Sequence, residues 1–591
     1  MSFVVRSLLW FVGLFPDSVI KRLGYILFTR TRKDLRSAVR QVEKAQWERL
    51  QTILHDSKET ERGRALGFNE IGNVDAFRER IPISSWNDVE QSVDRMVAGE
   101  KNVLVKEDVF FFASTSGTTG RRKLIPVTSQ YVSECRVANK VLYRSILLNM
   151  PGFIRGKRLT MRSPSCEELG NGKQCGSITV ALSGGVSEGE GALDAVPMAV
   201  FQIEDFSLRY FLCLRFALQT KVTLISAINP STLMLFSQTL ANQWEALADG
   251  LENGTFGGPF NEASSPVLNR LRTRLKKNVK AADRLRKSAE KRGGEPRMQD
   301  VFPDVVGLLT WKGGSARWYT PRLLEAYGPL PVLDHGYAAT EGCFGAPLST
   351  EGAASLLMPH GHFLEFIPEE DSGEASSQTG TKLMHQLTHG ERYRVIVTNG
   401  AGLLRYDMND IIEVVGFYEE APLIVFRQKG GSMSSLTGEK LGEAHVIDAM
   451  AQTMEGRPER LSNFVLSPLL PPSGEGEPKY LLVLEVPGEV MTDAALDAFA
   501  DRFDEALRAG NEEYAAKRTS MRLNAVEARA VPEGTFAAYR ARRVASGAPD
   551  AHVKMLHISP DGRLLVELGF ENLYPELASL LPCQHVELNH G

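Results

Sequence analysis

The chain has 591 residues, of which 43% are hydrophobic and 24% are charged, and its formal net charge is −4. A chain of this length is expected to form roughly two to four domains. The nearly neutral charge balance gives no electrostatic reason to expect nucleic-acid binding. The six cysteines include no Cys-x-x-Cys pair, so the sequence predicts neither a disulfide framework nor a zinc site, and it favours a cytoplasmic location.

The N-terminal segment is apolar, with SLLWFVGLF at residues 7–15. Pro16, Asp17 and Lys21 interrupt this run before it reaches the roughly 20 residues that cross a bilayer, and no small-residue cleavage site follows. Together with the VIKRLGYILF run after it, the segment predicts a pair of amphipathic helices. Weak contact of residues 1–28 with a membrane surface remains an open alternative.

The next 200 residues alternate between helical and strand-like patterns. Residues 33–70 predict helix that gives way to a loop near Gly63 and Gly67. Strand-like runs such as VFFFAS, KLIPVT and KVTLISAI then alternate with helical runs, which indicates an α/β architecture.

A densely basic stretch extends from Arg270 to Arg297. Its apolar residues Leu271, Leu275 and Val279 lie four apart, which predicts a solvated surface helix with one buried stripe. Binding of an acidic partner, a lipid headgroup or RNA is the alternative for this stretch.

The segment FFFASTSGTTGRRKLIPVT, residues 110–128, crowds small hydroxylated residues and glycines ahead of three cations. Its glycines are three apart, and Pro126 with its β-branched neighbours predicts a strand after the loop, so a Walker A loop is disfavoured. A strand–loop–strand clamp that closes over a nucleotide triphosphate fits better, and a flexible hairpin without a ligand is the alternative. The candidate phosphate-binding residues are Ser114, Thr115, Ser116, Gly117, Thr118, Thr119 and Lys123.

Three further segments carry groups that suit a nucleotide. LDHGYAATEGCFG, residues 333–345, places Tyr337, Ala338, Thr340 and Glu341 between a strand and a turn. AGLLRYDMNDIIEVVGF, residues 401–417, places Arg405, Tyr406 and Asp410 at the end of a strand hairpin. LLTWKGGSARWY, residues 308–319, precedes both and contains a Gly313-Gly314 turn that can lie against a flat ring.

The loop, the Tyr-x-x-Thr-Glu turn and the Arg-Tyr-x-x-x-Asp segment resemble the three signatures of the adenylate-forming superfamily. Flanking segments resemble, in order, those of the auxin-responsive promoter (Gretchen Hagen) family of acyl acid–amido synthetases. These segments include ETERGRALGF, RIPISSWNDV, LLMPHGHFLEFIP and EGTFAAYRARRVASGAPDAHVKM. The resemblance extends roughly from Gln51 to Ile558 and leaves out residues 260–297 and the N-terminal segment.

The resemblance implies an α/β fold with two domains of unequal size. A large N-terminal adenylation domain, residues 1–428, would contain mixed sheets and a β-barrel-like element flanked by helices. The Gly/Ser-rich segment at residues 429–440 would be a hinge, and residues 441–591 would form a small mobile α+β lid.

The resemblance also implies the chemistry. ATP and a small carboxylic acid would form an acyl-adenylate and pyrophosphate, and an amine, usually of an amino acid, would then form an amide. Asp410 would accept hydrogen bonds from the ribose hydroxyls, Tyr337 would lie near adenine, and Arg427 would reach the ribose and α-phosphate. Glu341 would hold Mg²⁺, which takes few protein carboxylates.

A mobile cation from the lid would act on the α-phosphate. Lys554 matches the C-terminal lysine of the family best, and Lys440 is the second candidate. Transfer of the acyl group to coenzyme A stays open as an alternative reaction. The sequence identifies neither the acid nor the acceptor, and a monomer without nucleic-acid partners is expected.

The third motif departs from the family pattern Tyr-Arg-Val-Gly-Asp. Asp407 replaces the arginine, and Asn409 replaces the glycine before Asp410. Asn tolerates the left-handed backbone that glycine would adopt, so we expect the turn to be kept. Asp407 would add negative charge near ATP, which leaves open a nucleotide-binding member with impaired turnover.

Other reactive residues near these motifs have structural interpretations. His360 and His362 form a His-x-His pattern without an evident third ligand, so core or surface positions are expected. His335 is placed close to the substrate but has no assigned role, and the proposed chemistry needs no nucleophile at Cys343.

Overall fold

The computed structural model of the chain describes most of its length in two compact units. The first unit ends at Phe426 and the second begins at Arg427. The described residues are 12–114, 123–162, 166–170, 172–182, 193–369, 380–430, 433–434, 436, 439, 441–456, 461–469, 478–488, 491–519, 523–545, 555–559 and 562–570.

The helices of the first unit surround its sheets. They are α1 (Asp17–Leu27), α2 (Thr29–Val39), α3 (Val42–Ser57), α4 (Glu61–Ala65), α5 (Val74–Arg80), α6 (Trp86–Val97), α7 (Ser129–Asn149), α8 (Ile178–Leu182), α9 (Phe206–Leu218), α10 (Pro230–Asn253), α11 (Pro266–Arg272), α12 (Val279–Lys291), α13 (Met298–Val301) and α14 (Thr320–Tyr327).

The strands of the first unit are short until the last third of the unit. They are β1 (Phe111–Ser114), β2 (Leu124–Val127), β3 (Lys157–Thr160), β4 (Cys166–Glu168), β5 (Gln174–Gly176), β6 (Val222–Ser226), β7 (Leu308–Leu309), β8 (Val332–Leu333), β9 (Ala338–Ala339), β10 (Gly342–Cys343), β11 (Gly345–Pro347), β12 (Ser355–Leu357), β13 (Phe363–Pro368), β14 (Lys382–Leu383), β15 (Arg392–Thr398), β16 (Tyr406–Tyr418) and β17 (Ala421–Lys429), whose last three residues belong to the second unit.

Among the described residues, these strands form a parallel sheet, a mixed sheet, a larger antiparallel sheet and a two-stranded antiparallel ribbon of β9 and β10. The parallel sheet has the order β3-β6-β7-β8, and β6, β7 and β8 are fully buried, as strands of parallel sheets usually are. The mixed sheet has the order β2-β1-β5-β4, and the large sheet has the order β11-β12-β17-β16-β15-β13-β14.

The second unit is a small α+β unit. A sheet of order β20-β21-β22 pairs β20 (Asn463–Leu469) and β21 (Lys479–Glu485) antiparallel, and β21 and β22 (Glu527–Val531) parallel. A two-stranded ribbon joins β18 (Met433–Ser434) to β19 (Leu441–Gly442). The helices are α15 (Glu443–Met454), α16 (Asp493–Gly510), α17 (Glu512–Thr519), α18 (Thr535–Ala545) and α19 (Arg563–Glu567). The predicted α/β class, with a large first and a small second unit, is confirmed.

Two predicted helices are interrupted. The helix expected from residue 33 onward breaks at Arg40 and Gln41, since Gln41 leaves helical geometry with a φ of −145° and a ψ of 58° between the buried Val39 and Val42. Residues 61–65 form a third, separate helix before the left-handed turn at Gly67.

The single helix expected in the basic stretch is also wrong, since α11 ends at Arg272 and α12 begins at Val279. Leu271 is buried as expected, but Val279 is 49% exposed. The buried face of α12 consists of Ala281, Ala282, Leu285, Ser288 and Ala289 instead. The small alanine and serine side chains allow close packing, which the apolar spacing alone did not reveal.

The first described helix has an exposed apolar face. Leu23, Ile26 and Leu27 of α1 are 39%, 66% and 75% exposed, while Ile20 and Gly24 face the protein. Within the described residues, no helix is both long enough and apolar enough to cross a membrane.

Candidate functional site

The loop rich in Gly and Thr joins two antiparallel strands, as predicted. The pairing of β1 with β2 ends at Ser114 opposite Leu124, so the chain reverses between these residues. Pro126 lies in β2, an edge strand of the sheet, where a missing N–H is tolerated. Ser114 is buried. Thr115, Ser116, Gly117, Thr118 and Thr119 lie outside the described residues.

Thr340 and Glu341 are the two turn residues of a tight hairpin. Ala339 pairs with Gly342, and Ala338 with Cys343, so only Thr340 and Glu341 connect β9 to β10. The predicted turn is therefore confirmed, and it is not the start of a helix. Both residues are 8% exposed.

Three buried side chains hold the backbone of this hairpin in place. The Tyr131 hydroxyl donates to the carbonyl of Thr340 at 2.6 Å, and the Asn399 amide donates to the carbonyl of Glu341 at 2.7 Å. The N–H of Cys343 donates to Nε2 of His362 at 3.2 Å. No described Lys or Arg forms an ion pair with Glu341, so a nearly buried carboxylate is positioned without a cationic partner in this part of the chain.

Asp410 is presented by a bulge in the large sheet. Between Asp407 and Ile411, β16 has three residues where β15 has one. Asn409, the middle residue of the three, has a φ of 52°, the left-handed conformation expected for this asparagine. Asp410 follows it and is 2% exposed.

Tyr337 links the hairpin segment to the bulge. Its hydroxyl donates to Oδ2 of Asp410 at 2.8 Å. Burial, followed by the Asp410 charge, raises the pKa of the Tyr337 phenol well above its usual value, so this group stays protonated and donates. Its ring stacks on Phe426, with centroids 6.3 Å apart and planes 20° apart, and lies 5.1 Å from Phe344.

Lys123 brings the far end of the Gly/Thr loop to the same place. Its Nζ donates to the Tyr406 hydroxyl at 3.1 Å and lies 5.9 Å from the centroid of the Trp86 ring. Burial raises the pKa of the Tyr406 phenol, and the charges of Glu341, Asp407 and Asp410 raise it further. The residues around Tyr406 thus come from three distant chain segments. The structure therefore brings together Lys123, Glu341 and Asp410.

Asp334 connects the Gly313-Gly314 turn to Tyr337. Its Oδ2 accepts from the N–H of Lys312 at 2.6 Å, and its Oδ1 accepts from the N–H of Gly336 at 2.7 Å. Burial raises the pKa of Asp334 to about 6 in spite of these hydrogen bonds. Gly314 has a φ of 57° and opens a short 3₁₀ turn, whereas Gly313 is extended.

His335 follows Asp334 past the carboxyl end of β8, the edge of a parallel sheet at which ligands commonly bind. Burial lowers its pKa to about 4, so the imidazole is neutral near pH 7. The hydroxyl of Ser226, at the end of β6, lies 3.4 Å from its Nε2.

The other predicted residues belong to the second unit or lie outside the described residues. Arg427 is the half-buried first residue of the second unit. Lys440 and Lys554 lie outside the described residues, so the choice between them stays a prediction.

His362 occupies a core position, as expected, with its Nδ1 2.9 Å from the buried Glu134 carboxylate. In the described part of the chain, no cluster of His, Cys, Asp and Glu has the arrangement of a metal site. The sequence did not predict the roles of Tyr131, Asn399 and Asp334. The side chains of Tyr131 and Asn399 bind the backbone of the hairpin, and the side chain of Asp334 binds the backbone next to Tyr337.

Three family models match the chain. They are the GH3 family N-terminal domain over residues 31–332, the central domain over residues 355–429 and the C-terminal domain over residues 444–563. The first match begins before Gln51 and includes residues 260–297, so the resemblance is wider than the sequence motifs indicated.

Named relatives are similar over most of their length. Indole-3-acetic acid-amido synthetase GH3.4 of Arabidopsis thaliana is 23% identical over 437 residues, which cover 71% of this chain and 72% of the relative. Jasmonoyl–L-amino acid synthetase JAR6 of Nicotiana attenuata is 24% identical over 532 residues, which cover 83% and 87%.

Solved structures share the fold. GH3.15 acyl acid amido synthetase matches with a TM-score of 0.78 at 18% identity, covering 90% of this chain and 94% of that protein. A 2-hydroxyisobutyryl-CoA ligase in its postadenylation state matches with a TM-score of 0.52 at 12% identity, covering 91% and 92%.

Proposed function

The chain belongs to the GH3 family, and we propose that it is an ATP-dependent acyl acid–amido synthetase. It adenylates a small carboxylic acid and transfers the acyl group to an amine, in the first place that of an amino acid. The observation that carries this proposal is the convergence of Lys123, Glu341 and Asp410 around Tyr406 and Tyr337. The Lys123 ammonium suits the phosphates of a nucleotide, and the Glu341 carboxylate suits a metal ion bound to those phosphates. The Asp410 carboxylate suits the ribose hydroxyls.

The first step forms the acyl-adenylate. A carboxylate oxygen of the acid attacks the α-phosphorus of ATP, the bond from that phosphorus to the bridging oxygen breaks, and pyrophosphate leaves. Residues 114–119 and Lys123 donate to the β- and γ-phosphates and stabilise the charge on the leaving group. Asp410 accepts from the ribose hydroxyls while Tyr337 keeps its carboxylate oriented. Orientation of the α-phosphate toward the acid is the main contribution of these contacts.

The second step forms the amide. The nitrogen of the amine attacks the acyl carbon, the bond to the phosphate oxygen breaks, and AMP leaves as the nitrogen loses a proton.

Arg427 and a lysine of the second unit, Lys554 or else Lys440, are proposed to act on the α-phosphate. The nearly buried Glu341, which forms no ion pair with a Lys or Arg of the described residues, suits Mg²⁺, which prefers oxygen ligands supplied mostly by phosphate and water. When bound there, Mg²⁺ would neutralise phosphate charge.

The names of the relatives support an amino acid as the acceptor and a carboxylic acid as the donor. Their names include a 4-substituted benzoates–glutamate ligase of Arabidopsis thaliana alongside the synthetases for indole-3-acetic acid and jasmonic acid. For this chain we propose only the class, a small carboxylic acid and an amino acid. The carboxylate of the acid to be adenylated would approach the α-phosphate from the end of the parallel sheet near His335.

The test combines purified protein, ATP, Mg²⁺, a panel of carboxylic acids and the common amino acids. We expect release of pyrophosphate that depends on one acid, and an amide of that acid in the mass spectrum. With coenzyme A in place of the amino acid, we expect little thioester. Rapid thioester formation without amide would favour the acyl-CoA ligase alternative, and ATP binding without acid-dependent pyrophosphate release would favour a member with impaired turnover.

The exposed face of α1 supports weak contact with a membrane surface. Leu23, Ile26 and Leu27 project from α1, which also carries the exposed Arg22, and the exposed Arg30 lies in α2, the next helix along the chain. Apolar residues next to cations favour the headgroup region of an anionic bilayer. The four described free cysteines are buried thiols, which supports a reducing cytoplasm as the location.

Sedimentation with lipid vesicles tests this contact. The intact chain should bind vesicles that contain anionic phosphatidylglycerol, and weakly at most vesicles of phosphatidylcholine alone. Ile26→Ser with Leu27→Ser should abolish this binding, whereas Val279→Ser, at another exposed apolar position, should not. Equal sedimentation of all three proteins would contradict the contact. Light scattering on the same samples tests the expected monomer.

A further inference from the structure

The acidic residue in the third motif occupies a defined structural position. Asp407 follows Tyr406 at the beginning of β16, directly before the three-residue bulge that ends with Asp410. Its own N–H donates to the carbonyl of Ser84 at 2.8 Å, which fixes the backbone on the near side of the bulge. Its side chain is 19% exposed and is therefore mostly enclosed by protein.

The Asp407 carboxylate makes two contacts that bear on the bulge. Oδ1 accepts a hydrogen bond from the N–H of Asn409 at 2.8 Å. Oδ2 lies 3.4 Å from Nη2 of Arg394, whose side chain is 9% exposed and which lies on the neighbouring strand β15. The negative charge that would be expected to weaken ATP binding is therefore opposed by a guanidinium on the next strand.

The Asn409 N–H is the group that most needs such a partner. Asn409 has a left-handed backbone, a conformation that non-glycine residues adopt at a cost in free energy. A bulge also removes residues from the regular ladder of hydrogen bonds, so their N–H groups need other acceptors. An aspartate two residues earlier supplies one in the manner of an Asx turn.

We propose that Asp407 is a positioning residue that holds the bulge and thereby sets the Asp410 carboxylate toward the ribose hydroxyls. This inference rests on the proposed function, in which Asp410 binds the ribose. Asp407 and Asn409 act together, because the carboxylate stabilises the left-handed turn that a glycine would adopt without help. The departure from the family pattern is thus a second way to build the same turn, and it does not disable the site.

The consequence concerns nucleotide selectivity. An enzyme that binds the ribose through Asp410 prefers ATP to 2′-deoxy-ATP, since the deoxynucleotide cannot donate the 2′ hydrogen bond. A misplaced Asp410 loses this preference even when the protein folds and still binds the phosphates. A purely structural role of Asp407 would reduce activity with both nucleotides equally.

The experiment compares acid-dependent pyrophosphate release from ATP and from 2′-deoxy-ATP, using the full-length protein. The wild-type protein is expected to have a kcat/KM about tenfold or more higher with ATP, as for a hydrogen bond to a charged group. Asp410→Ala should bring the ratio close to one. Asp407→Ala should lower the ratio to nearly the same value, mainly through the KM of ATP, and Asp407→Asn should keep most of it because its carbonyl oxygen still accepts from Asn409.

The outcomes separate the two levels of the proposal. If Asp410→Ala keeps the wild-type ratio and activity, the ribose site is wrong. If Asp410→Ala loses the ratio but Asp407→Ala keeps it, only the positioning role is overturned. Should Asp407→Ala fail to fold, Asp407→Asn still decides, because a ratio near one in this isosteric variant would contradict the role of the hydrogen bond to Asn409.

Discussion

Asp334 and His335 are adjacent, and they are expected to change the stability of the protein with pH in opposite directions. Burial raises the pKa of Asp334 from 3.8 to about 6, so the folded state binds this proton more tightly than the unfolded state. The resulting stability is fully present below pH 3.8 and is lost as the pH rises through 6. Burial lowers the pKa of His335 from 6.5 to about 4, so its contribution is present above pH 6.5 and is lost as the pH falls through 4.

The sizes of the two contributions are similar. A shift of roughly two units corresponds to about 3 kcal/mol of unfolding free energy for Asp334, which is almost fully buried. The opposite contribution of His335 is smaller, about 2 kcal/mol, because part of its side chain remains exposed. In the wild-type protein the two largely cancel between pH 4 and pH 6.

Single substitutions remove this cancellation. Relative to the wild type, Asp334→Asn should lose about 2 kcal/mol of stability as the pH falls from 6 to 4, since it lacks the gain from protonation. His335→Gln should lose stability in the other direction, as the pH rises over the same range. Urea unfolding of the wild type, both variants and the double variant at several pH values gives the differences. Differences independent of pH in both single variants would refute this reasoning.

Two further substitutions test the geometry around Tyr337. Tyr337→Phe removes the donor to Asp410 but keeps the ring, and it should raise the KM for ATP about tenfold. The control Tyr327→Phe loses a buried hydroxyl that donates to a backbone carbonyl, and it should lower stability without changing the KM for ATP. An equal rise of this KM in both variants would argue against a role of Tyr337 in ATP binding. Gly336 has a φ of 89°, and a Cβ added there would lie 2.3 Å from a carbonyl oxygen, so Gly336→Ala should lower the free energy of unfolding by more than about 2 kcal/mol. Gly352 has a φ of 62° in open space, so Gly352→Ala should lower it by only about 1 kcal/mol. Thermal unfolding measures both differences. A similar cost at both glycines would contradict the close approach at Gly336.

Local patterns in the sequence predicted the parts of the site that depend on neighbouring residues. The strand after the Gly/Thr loop follows from Pro126 and its β-branched neighbours. The left-handed Asn409 follows from its place before Asp410 in the motif. The strand is determined within a few residues and follows from local sequence chemistry, whereas the turn at Asn409 was expected because the resembled family has a glycine at that position.

Contacts between distant segments could not be predicted in this way. Tyr131 reaches the hairpin across 209 positions of the chain, and Asn399 reaches it across 58. In each case the side chain supports the backbone of Thr340 or Glu341, and no local pattern marks a helical tyrosine or a loop asparagine for this role. The breaks at Arg40 and after Arg272 were missed because the spacing of apolar residues continues across both of them.

The most direct test of the central claim is a crystal structure of the protein with a non-hydrolysable acyl-adenylate analogue. We predict that both ribose hydroxyls lie within hydrogen-bond distance of the Asp410 carboxylate, with the adenine near Tyr337 and the phosphate-equivalent group on the side of Lys123. Density for the adenosine away from Asp410 and Tyr337 would contradict the proposed site and the ligase function that depends on it.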